Sequence, residues 1–236
     1  MKDLAESKLA EYKACTFENP EFKKWLKDSN LWIFIYNSLR ITGIELDKRQ
    51  LVAMLDGEIF DDMPLDIYCT VQRLRDLYKE MQESLAMESL NEKLLNRFYE
   101  FAFGTNSEYR KDNRIIYKWG HIAPHFNDIS RELNSFFRSR GVAGDAIERA
   151  LYVHSGIARI YPFGDDTALM AIISMSYELM SDDVPIPALT ADDLEYNNLL
   201  KDEFNGKEGG FSDMFCRSLL NRLDAVMLYG IQSKER

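Results

Sequence analysis

The sequence has no basic stretch. Lys and Arg number 29 against 39 Asp and Glu, a formal net charge of −10. The clustered cations on which phosphate-backbone binding depends are missing, so nucleic acid is not an expected partner. It has no long hydrophobic run either. Nothing approaches the roughly 18 uncharged apolar residues that a membrane-spanning helix needs, and the most apolar stretches are 31–36 and 168–175. A membrane is therefore not an expected partner. Cysteine is scarce: Cys15, Cys69 and Cys216 are odd in number and widely spaced. They cannot all pair within one chain, so buried free thiols in a reducing compartment are expected. Residues 1–6 are charged and lack the apolar centre of a secretory leader; together these features point to the cytoplasm.

What is present builds a core. Hydrophobic residues make up 46% and charged residues 29%, which excludes the disordered class. Apolar positions recur at three- and four-residue spacing over 4–14 and 20–39, with Pro20 suited to a first helical turn. Thr42-Gly43 breaks that second helix. Asp47 is placed to cap a short helix through Leu55, ending at Asp56-Gly57. Residues 61–64 open a long helix with Ile67, Val71, Leu74, Leu77 and Tyr78 on one side, and 91–103 forms an amphipathic helix that stops at Gly104. Helices are expected again over 125–140, 144–159, 165–180, 190–204 and 211–228, punctuated by Gly141, Gly164 and Gly209-Gly210.

One segment departs from this pattern. Tyr109, Ile115, Ile116, Tyr117 and Trp119 give 107–121 a strand-like character, with Asp112-Asn113 as the turn. A single hairpin is marginal alone and must lie against something; serving as a lid over a pocket is one reason to keep it. The expected class is all-α with one short β-hairpin. No repeat, low-complexity run or long linker appears, so one domain over 1–236 is expected, with a helical extension over 1–31 and a core over 32–230.

Residues 160–170 join two strongly apolar helices. A turn feeding a helix N-terminus presents unpaired N–H groups and a positive dipole end, an arrangement that binds phosphate. The segment Tyr161-Pro162-Phe163-Gly164-Asp165-Asp166-Thr167-Ala168-Leu169 resembles the signature of Fic (Fido) domain proteins, His-Pro-Phe-x-Asp/Glu-Gly-Asn-Gly-Arg-x-x-Arg. Most members of that helical family transfer AMP from ATP to hydroxyl side chains of target proteins. Pro162, Phe163 and Asp165 match, and Ala158-Arg159-Ile160 before them is also like the family. Residues 36–43 are similar to the family's N-terminal Ser-x-x-Ile-Glu-Gly segment. The hairpin stands where the family has its substrate-positioning flap, with Ile115, Ile116 and Tyr117 as flap residues. Tyr196-Asn197-Asn198-Leu199 with 211–219 is similar to the closing helices, so the resemblance covers the chain from about Trp32 onward.

The resemblance implies a Fic-like helical domain with a nucleotide-pocket loop of Pro162, Phe163, Gly164, Asp165, Asp166, Thr167 and Leu169. The departures bear on activity. Tyr161 occupies the position of the histidine base, and a phenol titrating near 10 is protonated at neutral pH; losing a positioned base costs about 10²–10⁴ in rate. Asp166-Thr167-Ala168 replaces the glycine-rich phosphate wrap and adds a negative charge. Leu169 and Ile172 stand where the two arginines would be, removing charge and bidentate bonding. Asp165 matches the Mg²⁺-holding position, but one carboxylate alone is a poor Mg²⁺ site, and acidic residues also stabilise a helix start. The family's inhibitory Glu corresponds to Thr42, so both halves of its ion pair with the second arginine are replaced.

The expectation is an adenylyltransferase-like protein without ordinary AMPylation, acting as a binding or regulatory module toward a protein partner. The alternative is a Fic-fold transferase with altered chemistry or nucleotide donor; ATP and Mg²⁺ are the cofactors that retention of the family activity would imply. No catalytic residue or metal ligand is assigned, Asp165 being the metal candidate if there is one, and a homodimer is permitted by apolar positions on the first two helices. His154 reads as a hydrogen-bonded packing residue, and His121 and His125, separated by Pro124, as cap or flap anchors. Trp25, Trp32 and Trp119 read as core. Asp182-Asp183 and Asp192-Asp193 read as solvated loop and capping charge. No Ser-His-Asp or Cys-His arrangement and no Walker loop occurs.

Overall fold

A computed structural model describes residues 1–140, 144–207 and 209–233. Among these lie ten α-helices: α1 (Lys2–Ala14), α2 (Pro20–Arg40), α3 (Lys48–Leu55), α4 (Leu65–Ser84), α5 (Glu92–Phe103), α6 (Ile129–Ser139), α7 (Ala146–Ile160), α8 (Thr167–Ser181), α9 (Asp193–Phe204) and α10 (Phe211–Gln232). Two strands, β1 (Ile115–Ile116) and β2 (His121–Ile122), pair antiparallel with Ile115 opposite Ile122. The all-α expectation with one small hairpin holds.

Local chemistry sets most boundaries. Asn19 accepts the Glu21 N–H at 2.8 Å ahead of Pro20. Asp47 and Gln50 form a reciprocal capping box on α3. Asn91, Asp145 and Asp192 cap α5, α7 and α9, and Gly104 ends α5 in the left-handed conformation. Gly141 lies outside the described residues.

The centre is α8. Thr167 through Leu179 are all buried, and a helix that is apolar all round belongs inside a protein rather than on its surface. It packs along α7 and is flanked by α2 and α5. The expected division at residue 31 falls inside α2, which runs unbroken through it. α1 lies on α10, with Lys8 paired to Asp224 at 2.9 Å.

Three expectations are corrected. The turn is not at Asp112-Asn113: it is a 3₁₀ turn over Tyr117–Trp119 closed by Gly120 at φ 61°, so Tyr117 sits at the tip instead of in a strand. Cys216 is buried, but Cys15 and Cys69 are exposed. Asp182 is half-buried and paired with Arg149, not merely solvated. The histidine readings hold. His154 is buried against Tyr196, His125 caps the 3₁₀ turn Phe126–Asp128, and His121 donates from Nε2 to the Arg159 carbonyl at 2.8 Å, anchoring the hairpin. No helix among the described residues is long and apolar enough to cross a membrane.

Candidate functional site: the turn between α7 and α8

α7 ends where Tyr161 turns left-handed, at φ 53° and ψ 52°. A side chain in this region costs about 1–2 kcal/mol, so the surroundings must hold it. Arg110 does so: its Nε donates to the Tyr161 carbonyl at 2.8 Å, and its remaining N–H groups reach the Asp112, Pro124 and Ile160 carbonyls. Its own N–H donates to the Pro162 carbonyl at 2.9 Å. A buried guanidinium at a helix C-terminus also meets the negative dipole end. Pro162 prevents α7 from continuing. The Tyr161 ring meets Trp119 edge-on at 5.3 Å, which seats the hairpin against the turn.

Several polar groups of the turn are paired within it or with α5. The Tyr161 hydroxyl donates to Asp165 at 2.9 Å, and burial with that carboxylate raises the phenol far above its usual range. Tyr99 of α5 donates to Asp166 at 2.9 Å. Burial and this bond push Tyr99 up to about 12, and burial also raises the Asp166 carboxyl. The Phe163 N–H, which could have met an anion, donates to Thr167 Oγ1 at 3.1 Å. The Phe163 ring is stacked on Tyr99 at 4.6 Å and lies near Tyr109 at 5.4 Å. Gly164 is left-handed at φ 60°, with open space where a Cβ would stand. Leu169 and Ile172 are buried in the core, 6% and 0% exposed.

Of the residues expected at this site, Pro162, Phe163, Thr167 and Leu169 are buried, Gly164 and Asp166 are half-buried, and Asp165 is exposed. On the hairpin, Ile116 points inward while Ile115 and Tyr117 are exposed. A groove of about 510 Å³ between α6 and α7, lined by Phe136, Leu151, Tyr152 and Arg159, reaches only as far as Ile160. Sequence reasoning missed Tyr99 and Arg110. Arg110 left one signal, a cation inside an aromatic and β-branched stretch.

Several features of this turn disfavour a nucleoside triphosphate with Mg²⁺. A phosphate needs free N–H groups and cations, whereas the Phe163 N–H is taken, the Arg110 guanidinium is committed to backbone carbonyls, and Asp166 brings negative charge. Asp165, the candidate metal ligand, is bound to Tyr161.

Neither a family model nor a curated protein matches the chain. Solved structures do. A Fic family protein from Desulfovibrio desulfuricans aligns at TM-score 0.75 with 16% identity over 98% of this chain and 74% of that one. Fic-1 from C. elegans aligns at 0.77 with 16% identity over 98% and 72%. A Fic domain containing signaling protein from Bacteroides thetaiotaomicron aligns at 0.70 with 17% identity over 95% and 91%. With its helix order, its hairpin and its turn ahead of the buried α8, this chain has the fold of the Fic family.

Proposed function

We propose that this Fic-fold protein does not carry out ordinary AMP transfer and acts as a binding or regulatory module toward a protein partner. One observation carries the reading: the turn that would grip phosphate is closed by its own side chains, through the Tyr161–Asp165, Tyr99–Asp166 and Phe163–Thr167 bonds. Tyr161 at the base position holds its proton more tightly than a free phenol, so it is a poor general base. Leu169 and Ile172 are packed into apolar surroundings, where an arginine without an anion would be an unpaired buried charge.

The test combines binding and transfer. The protein is incubated with Mg²⁺ and labelled ATP, then with other nucleoside triphosphates, and assayed for saturable binding and for label on itself or on lysate proteins. The expected result is neither, at millimolar nucleotide. Transfer that Asp165→Ala abolishes would sink the proposal. It would instead favour a transferase with altered chemistry or donor, a reading helped by the exposure of Asp165. The combined change Tyr161→His, Asp166→Gly, Thr167→Asn, Ala168→Gly and Leu169→Arg is expected to create ATP binding at a cost in stability. A folded variant that still ignores ATP counts against the assignment of the pocket.

A further inference from the structure

α9 and α10 close over α7 through one buried and one half-buried polar contact. His154, in the middle of α7 and 0% exposed, meets the Tyr196 hydroxyl of α9 through Nε2 at 2.9 Å. Its ring lies flat on Phe211 of α10, centroids 3.8 Å and planes 8° apart. Its Nδ1 is buried without a hydrogen-bond partner. One residue on, Ser155 donates to Glu203 of α9 at 2.6 Å, and the other Glu203 oxygen accepts from the N–H and hydroxyl of Ser212 at 2.8 and 2.7 Å. The titratable groups that face His154 are Tyr196 and Glu203, both from α9; α10 offers it the Phe211 ring. α9 in turn backs the hairpin. Asn197 accepts the Trp119 indole N–H at 2.6 Å, and the Phe204 ring meets Trp119 and His121 at 6.0 and 5.3 Å.

We propose that His154 is a proton-operated latch: neutral, it holds α9 on α7, and protonated, it releases α9 and with it the hairpin beside the α7–α8 turn. A neutral imidazole carries one N–H and exchanges one hydrogen bond with Tyr196 through Nε2. An imidazolium carries two. The added proton goes to whichever nitrogen lacked one: at Nδ1 it makes a donor without an acceptor, at Nε2 it turns the Tyr196 proton away from their shared bond, and in either case the charge would sit out of water. Burial, only partly opposed by Glu203, lowers the His154 pKa to about 4. An unfolded histidine titrates near 6.5. Between those values the open chain binds the proton more tightly, so the stability this residue confers is complete above about pH 6.5 and is lost as pH falls toward 4. The Glu203 carboxylate, held by Ser155 and Ser212, stays on α9 as an opposite charge that the imidazolium would feel. It is tied to those donors and makes no bond to Nδ1.

The test uses the full chain. The His154 imidazole proton resonance, assigned by its absence in His154→Gln, is followed from pH 8 to 4. It is expected to hold its neutral position down to about pH 5; titration near 6.5 overturns the proposal. From pH 7 to 4.5 the unfolding equilibrium constant is expected to rise about 50-fold more in the wild type than in His154→Gln. Amide exchange of α9 and of residues 115–122, corrected for intrinsic rate, should rise over the same interval in the wild type and in His121→Gln but not in His154→Gln. Equal pH dependence in His154→Gln overturns the latch. Should His154→Gln fail to fold, Tyr196→Phe decides: it removes the bond without a titratable change, so it should loosen α9 and the hairpin already at pH 7. Unchanged exchange in that variant also overturns the proposal.

Discussion

The two ends of α8 solve opposite electrostatic problems. At its start, Asp165 and Asp166 face the positive end of the helix dipole, which favours them, and each needs only a phenol: Tyr161 for one, Tyr99 for the other. At its finish, Glu178 and Asp182 face the negative end, which opposes them. Each is matched by an arginine, Arg140 from the end of α6 and Arg149 from α7. Cations are thus spent where carboxylates would otherwise be repelled, and none is placed on α8 where an anion would dock. A phosphate arriving at the start of α8 would compete with Asp166 for the same positive field. The helix start thus carries two carboxylates whose hydrogen-bond donors come from within the fold.

The largest effect expected from disturbing this contrast comes at the far end. Glu178 is 2% exposed, so Arg140→Ala strands a buried carboxylate, and urea denaturation at pH 7 is expected to show a loss of about 3–5 kcal/mol. Burial already raises the Glu178 carboxyl. A raised carboxyl destabilises the fold as pH climbs through its folded value, so the deficit of Arg140→Ala should shrink toward pH 5. A deficit under about 1 kcal/mol at pH 7 would show the two ends to be equivalent.

At the near end the effects are smaller because the groups are neutral or partly wet. Thr167→Val removes the acceptor of the buried Phe163 N–H and is expected to cost about 1–3 kcal/mol, read as a lowered thermal midpoint that Thr167→Ser recovers. Tyr99→Phe is expected to cost about 1 kcal/mol. In an Asp166→Ala background that cost should nearly vanish, a coupling that a double-mutant cycle measures directly. Additive losses would mean that the Tyr99 hydroxyl stabilises the fold by something other than its bond to Asp166.

The helices were legible because their ends are written locally. Asn19 before Pro20, Asp47 with Gln50, Asn91, and Gly104 each act within four residues of where they stand. The Phe163–Thr167 bond, four residues apart, belongs to the same class. The hairpin turn was misplaced because Asp112-Asn113 has the composition of a turn, whereas the chain reverses at Gly120, where a 3₁₀ turn keeps Trp119 in the core. The partners that close the site were not legible. Tyr99 meets Asp166 across 67 residues and Arg110 meets Tyr161 across 51, and no periodicity reports such a meeting. The apolar character of Leu169 and Ile172 was legible, and their burial in the core agrees with it.

The uneven exposure of the three thiols gives the molecule a built-in clock. Cys15 and Cys69 are open to a maleimide from the start, whereas Cys216 sits inside α10, 1% exposed, its thiol pushed up to about 11 by burial. Alkylation should therefore stop at two labels, with the third added only when the chain opens enough to free α10. The rate of that last mass increment would time the opening of the core around Cys216 without an engineered probe.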